Sequence, residues 1–203
     1  MPGTAFALFL LFVVLAFGWR SILQWRRTGD FGFRAFSSST PLAERLVSSG
    51  FALSLILVGA APLLAWAGRS EPWPTLDLPL AHVLGLVLTL AGMALTLWAQ
   101  LQMGAAWRLG QDASERTELV RAGLFGHVRN PIYSAMLLAG LGMVAMVPSA
   151  LALVAWLLLF LSVETQVRRV EEPFLARVHG DAYRAYLREV GRFVPGLGRS
   201  SSA

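Results

Sequence analysis

Five stretches of the chain run almost without charge, and segments rich in proline, glycine or arginine separate them. The first covers about Thr4 to Leu23, and its centre, Ala5 to Trp19, holds no charged residue. The others run from Leu46 to Ala67, Leu78 to Met103, Pro131 to Val147 and Ser149 to Val163. A helix needs about 20 apolar residues to cross the hydrocarbon. The first three suffice; the last two are short and meet near Pro148 and Ser149, as a tight hairpin does. The fifth is expected to continue as a helix to Val170. This pattern predicts an all-α polytopic membrane bundle of about five transmembrane helices. Beyond it, Leu175, Val178, Tyr183, Tyr186, Leu187 and Val190 keep helical spacing while Arg184 and Arg188 turn elsewhere. They predict an amphipathic C-terminal helix on or near the membrane surface, with Gly180-Asp181 as a break followed by an N-cap. Thr40-Pro41-Leu42-Ala43-Glu44 has the cap, proline and acid that open a helix into the second span.

Composition agrees. The 203 residues are 56% hydrophobic and 14% charged, against about a quarter charged in a soluble domain. Cysteine is absent, which excludes disulfides, thiolate metal sites and a cysteine nucleophile. All 17 basic residues are arginine, and the formal charge is +5. The arginines collect in Arg20 to Arg45, in Gly104 to Asn130, and in Arg168 to Arg199, which holds seven of them. The loop from Gly68 to Pro79 has one. By the positive-inside rule the N-terminus is outside and the C-terminus cytoplasmic; the bare five-span topology suggests a bacterial inner membrane as host. No charged n-region or cleavage site marks a signal peptide, so the first span is read as uncleaved. No basic stripe interleaved with aromatics occurs, so nucleic acid is not an expected partner. The expected partner is the lipid bilayer.

Chemistry concentrates at both ends of the last hairpin. Glu171 and Glu172 close it, where acids oppose the helix macrodipole. They are either a solvated end, with Arg168 and Glu172 paired at i,i+4, or acids that hold a cationic ligand. Arg129-Asn130-Pro131 opens it, and Arg129 is either a positive-inside anchor or a guanidinium for a ligand carboxylate or phosphate. Tyr133 points back toward that boundary, where it can stack or hydrogen-bond. Gly140-Leu141-Gly142 permits close helix packing or backbone approach to a ligand. His127 is either a loop histidine or a base. No serine–histidine–acid set or metal-ligand spacing stands out, so neither a hydrolase nor a metal partner is expected.

Together, Gly123-Leu-Phe-Gly-His-Val-Arg-Asn-Pro-Ile-Tyr133 resembles the Gly-Pro-Tyr-x-x-x-Arg-His-Pro-x-Tyr signature of the integral membrane methyltransferases. That superfamily includes the isoprenylcysteine carboxyl methyltransferases and the phospholipid N-methyltransferases. Glu171-Glu172, Gly180-x-x-Tyr183-x-x-Tyr186 and Val190-x-Arg192-Phe193-x-Pro195 continue the likeness, which spans about Glu118 to Pro195. Asn130 replaces the signature's histidine and Phe125 its tyrosine. Asparagine keeps a donor and an acceptor but does not titrate, so no base is expected at that position.

The resemblance implies S-adenosylmethionine-dependent methyl transfer to a lipid or lipophilic small-molecule acceptor, a carboxylate, an amine or a thiol. It implies a cofactor site of His127, Arg129, Asn130, Tyr133, Gly140, Gly142, Glu171 and Glu172, with Arg129, Asn130 and Tyr133 as catalytic residues. Glu171 or Glu172 would accept from the cofactor's ammonium or ribose, and Arg129 would pair with its carboxylate. Two other readings remain at this point: an NADPH-dependent membrane reductase like the sterol reductases, and a non-catalytic membrane protein that keeps the fold. The chain divides into three spans over 1–117, a cofactor-binding region over 118–195 and a disordered tail over 196–203.

Overall fold

The computed structural model of the protein describes residues 1–31, 42–104, 107 and 118–200. Helix α1 (Pro2–Val13) passes through a π-helical turn, Val14–Trp19, into α2 (Arg20–Thr28), so the first span is one rod. Next come α3 (Leu42–Trp66), α4 (Pro79–Met103), α5 (Pro131–Met146) and α6 (Ala150–Gln166). A second π turn, Val167–Glu171, joins α6 to α7 (Glu172–His179), and α8 (Asp181–Glu189) follows. Four of these rods are long and apolar enough to cross a membrane. The 16 residues of α5 reach only about 24 Å, short of a hydrocarbon layer of about 30 Å. The expected all-helical membrane bundle is therefore present, as four full-length spans and one short apolar helix. Thr40, Pro41, Arg34, Arg108, Arg116 and the tip of the tail lie outside the described residues.

Large apolar side chains such as Leu53, Ile56, Val83, Val87 and Leu90 point outward, while Ser54, Thr89 and Thr96 are fully buried. In lipid, burying leucine gains little, so small residues that let backbones approach hold the helices together. The seam between α4 and α5 follows that rule. Gly85, Gly92 and Gly142 face the opposite backbone with no room for a methyl group, and Thr89 Oγ1 donates to the Ala139 carbonyl at 3.4 Å. On the other side α3 packs on α6 and α1.

The ends of the rods are tied differently. At one end Ala5, Met146 and Val147 cluster with Ala65. There the Trp73 amide donates to the Pro148 carbonyl at 2.7 Å, and Ser149 caps α6 by accepting from the Ala152 amide at 3.2 Å. At the other end Phe17, Ile132 and Tyr133 share one apolar cluster, and the Gln102 side chain accepts from the Leu124 amide at 2.9 Å.

The C-terminal helices close over this second end. Gly180 takes φ of 54°, a conformation that favours glycine, and breaks α7 from α8 as expected. Asp181 is the first residue of α8 and not its cap; its carboxylate accepts from Arg184 Nε at 3.0 Å. The apolar face of α8 is covered by protein. Tyr183, Tyr186 and Val190 pack with Leu119, Leu175 and Leu187. Burial pushes the Tyr186 phenol up to about 12, so it stays a donor at neutral pH, and it gives its proton to the Phe125 carbonyl at 2.5 Å. Tyr186→Phe leaves that carbonyl unsatisfied, at an expected cost of about 1–3 kcal/mol. Faster amide exchange confined to α8 and the segment around Phe125 is the expected readout.

Candidate functional site

The hairpin of α5 and α6 brings its two polar ends together. Tyr133, in the first turn of α5, donates its hydroxyl to Glu171 Oε1 at 2.6 Å. Gln166 Nε2 reaches the same oxygen at 3.5 Å, and Phe51 lies edge-on to the tyrosine ring at 6.2 Å. Gln166 Oε1 is buried without a partner. Successive residues of a helix point about 100° apart, so Glu171 and Glu172 meet different partners. A π turn also shifts the register of the residues that follow, a device common at functional sites.

Glu172 points into a cage of guanidinium groups. Its Oε1 accepts from Arg129 Nη2 at 2.9 Å and from Arg192 Nε at 2.8 Å, and its Oε2 from Arg192 Nη2 at 2.9 Å. Side-on contact to both oxygens is the strong, geometrically specific arginine–carboxylate arrangement. The Glu172 carboxylate holds the Arg192 guanidinium above its usual range. The expected i,i+4 pair of Arg168 with Glu172 does not form. Arg168 bonds Glu164 instead, because Glu172 is turned inward to Arg129 and Arg192.

Arg129 is buried and donates to the carbonyls of Leu187, Val190 and Gly198 as well as to Glu172. Its Nε is left without a partner. Asn130 makes the adjoining seam: its amide N–H and side-chain Nδ2 both donate to the Arg192 carbonyl, at 3.1 and 3.2 Å. Neither bond needs a titrating group, so asparagine does at this position what the geometry asks of it. Together with the Val128–Gly191 bridge, these contacts fasten 187–198 to the start of α5.

Residues 80–182 match the model of the phospholipid methyltransferase family. The chain belongs to that family. The match reaches from α4 into α8 and so takes in Arg129, Tyr133, Glu171 and Glu172. It bears out the resemblance to the membrane methyltransferases and makes this a multi-pass membrane protein of methyltransferase kinship. No curated protein matches the chain.

In this phospholipid methyltransferase family member, the remaining sequence candidates occupy different surroundings. Gly142 abuts Thr89 and Gly85 across the α4 seam, and Gly140 faces the Trp156 ring of α6. Both glycines thus lie at helix contacts. His127 is exposed, one residue before the bridge. An apolar crevice runs alongside, lined by Phe9 and Phe12 of α1, Leu55 and Val58 of α3, Met136, Gly140 and Met143 of α5, and Leu159 of α6. Positions 133, 136, 140 and 143 share one face of a helix, and Tyr133 packs in the same cluster as Phe12, Leu55 and Met136, beside this small crevice.

Arg192 and Gln166 were not singled out from the sequence. Arg192 sits inside the Val190-x-Arg192-Phe193-x-Pro195 motif, which was the available signal. Gln166 had none; only its place one turn before Glu171, across the π turn, gives it a partner.

Proposed function

We propose that this protein transfers a methyl group from S-adenosylmethionine to a lipid or lipophilic small-molecule acceptor at the membrane interface. The acceptor presents a carboxylate, an amine or a thiol. The observation that carries the reading is the polar Tyr133–Glu171–Gln166 group, which lies beside a small apolar crevice between the helices. A charged cofactor and a lipophilic acceptor need such a boundary, because neither is stable in the other's medium.

The residues present fit the cofactor. The Glu171 carboxylate and the buried, unpartnered Gln166 Oε1 are acceptors suited to an ammonium or to ribose hydroxyls. His127, Arg129, Asn130, Tyr133, Gly140, Gly142, Glu171 and Glu172 remain the candidate site. Within it the geometry supports a division of labour. Tyr133 and Glu171 touch the ligand. Arg129 and Glu172 are positioning residues, since the bonds they make fasten the C-terminal segment over the site. Gly140 and Gly142 act through packing, and His127 lies at the exposed rim. Bound S-adenosylmethionine supplies an activated methyl on a sulfonium. The protein aligns the acceptor with it and keeps water out, which is most of what an in-line displacement requires. The arginine distribution supports placing this end of the bundle in the cytoplasm, with the N-terminus outside.

Calorimetric binding of S-adenosylmethionine to the protein in lipid nanodiscs tests the reading. Glu171→Gln is expected to weaken binding about 10- to 100-fold, the size of a charge-assisted hydrogen bond, without unfolding the bundle. Tyr133→Phe is expected to weaken it less. Folded wild-type protein that binds no S-adenosylmethionine overturns the proposal. With labelled cofactor and a lipid extract, alkali-labile label marks a methyl ester, and stable label marks transfer to nitrogen or sulfur.

A further inference from the structure

The end of the first span is amphipathic in reverse. Arg20, Ser21 and Gln24 are buried, while Trp19, Ile22 and Trp25 are 41%, 48% and 48% exposed. The first π turn, Val14–Trp19, lies directly before them. The second π turn does the same at Glu171 and Glu172, which form part of the candidate site. Both turns bring polar side chains inward at one end of the bundle, since Phe17 shares its cluster with Ile132 and Tyr133.

Arg20 has no exposed surface. Nη1 donates to Gln24 Oε1 at 3.2 Å and Nη2 to the Gly104 carbonyl at 2.5 Å. The guanidinium lies 4.6 Å from the centre of the Trp107 ring. Its Nε is buried without a partner, and so is the Ser21 hydroxyl. No carboxylate pairs with Arg20 among the described residues. A buried charge without a counter-ion is costly, and nothing in the Tyr133–Glu171 group uses this one. The guanidinium's own unpaired Nε–H and the neighbouring Ser21 hydroxyl suit an anion with several acceptor oxygens. The exposed tryptophans put the group at the depth of lipid headgroups.

We propose that Arg20, Ser21 and Trp107 form a second binding site, which takes the phosphate of an anionic membrane lipid. Trp107 covers the guanidinium and is the side chain that the ligand must move. The site does not depend on the methyl-transfer reading, and its test reads lipid retention, not catalysis.

The protein is placed in phosphatidylcholine nanodiscs with and without phosphatidylglycerol, and its retained lipid is read by native mass spectrometry. The wild-type protein is expected to keep phosphatidylglycerol at least about tenfold better than phosphatidylcholine. Arg20→Gln should abolish that preference, and Ser21→Ala should reduce it several-fold. Trp107→Phe should remove the fluorescence change that accompanies binding. If Arg20→Gln does not fold, Ser21→Ala and Trp107→Phe still decide. Inorganic phosphate added to the phosphatidylcholine sample is the second arm. Binding of phosphate without any preference for phosphatidylglycerol sinks the lipid assignment. Equal retention by wild type and Ser21→Ala, or no preference in wild type, overturns the site.

Discussion

Glu172→Ala is expected to loosen the whole C-terminal half of the protein, whereas Glu171→Gln leaves it folded. The two acids are adjacent, but their surroundings differ. The Arg129, Glu172 and Arg192 side chains are 2%, 14% and 15% exposed, so the charges are little screened by water. Removing one member of such a group leaves uncompensated charge behind and costs about 3–5 kcal/mol. Here two guanidinium groups lose their partner at once. Arg192 keeps only a distant contact to Glu164 at 3.6 Å. Arg129 keeps its three carbonyl acceptors, which soften the loss but supply no negative charge. Reversible unfolding in mixed detergent should show the deficit, together with faster exchange over 187–198. A Glu172→Ala protein that unfolds where the wild type does would mean that the cage contributes no net stability. Arg192→Ala is expected to be milder, because Glu172 then still faces Arg129.

The second large effect lies in the α4–α5 seam. A Cβ on Gly142 would stand 2.5 Å from the Thr89 amide nitrogen and 2.6 Å from the Gly85 carbonyl oxygen. On Gly92 it would stand 2.5 Å from the Ala139 amide nitrogen. Backbone atoms inside a helix cannot step aside, so the two helices must separate. Gly142→Ala and Gly92→Ala are each expected to cost about 1–3 kcal/mol, the usual range for overpacking. Gly140→Ala is the informative contrast. Its new methyl would meet the Trp156 ring at 3.0 Å, and a side chain yields more easily than a backbone. Thermal melts beside S-adenosylmethionine binding separate the two roles available to Gly142. Lost stability with affinity preserved in the folded fraction supports packing; lost affinity at unchanged stability would make Gly142 a ligand contact.

Much of this protein was legible in the sequence. Uncharged stretches of membrane-spanning length are a one-dimensional signal, and the helices lie where those stretches are. The hairpin around Pro148 and Ser149 could be drawn from the same pattern, because two short apolar stretches meet there. The motif from Gly123 to Tyr133 was enough to suggest the family. With the downstream Glu171-Glu172 element it also marked Tyr133 and the paired acids, which the hairpin brings together.

Other features depend on neighbours far apart in the chain. The sequence offered Arg168 as a partner for Glu172 because they are four residues apart, and in the structure the acid pairs with Arg129 and Arg192 instead. The sequence read α8 as an amphipathic helix on or near the membrane surface, and the structure adds that Leu119 and Leu175 cover its apolar face. Arg20 read as one more loop arginine at the end of a span. Only the tertiary structure turns it inward, beneath Trp107. The sequence by itself determined which segments enter the membrane, because transfer from water to lipid depends on the composition of each segment alone. The tertiary structure decided which of the charged residues at their ends are paired, buried or left over. Those outcomes depend on distances of a few ångströms between helices, and local spacing does not encode them.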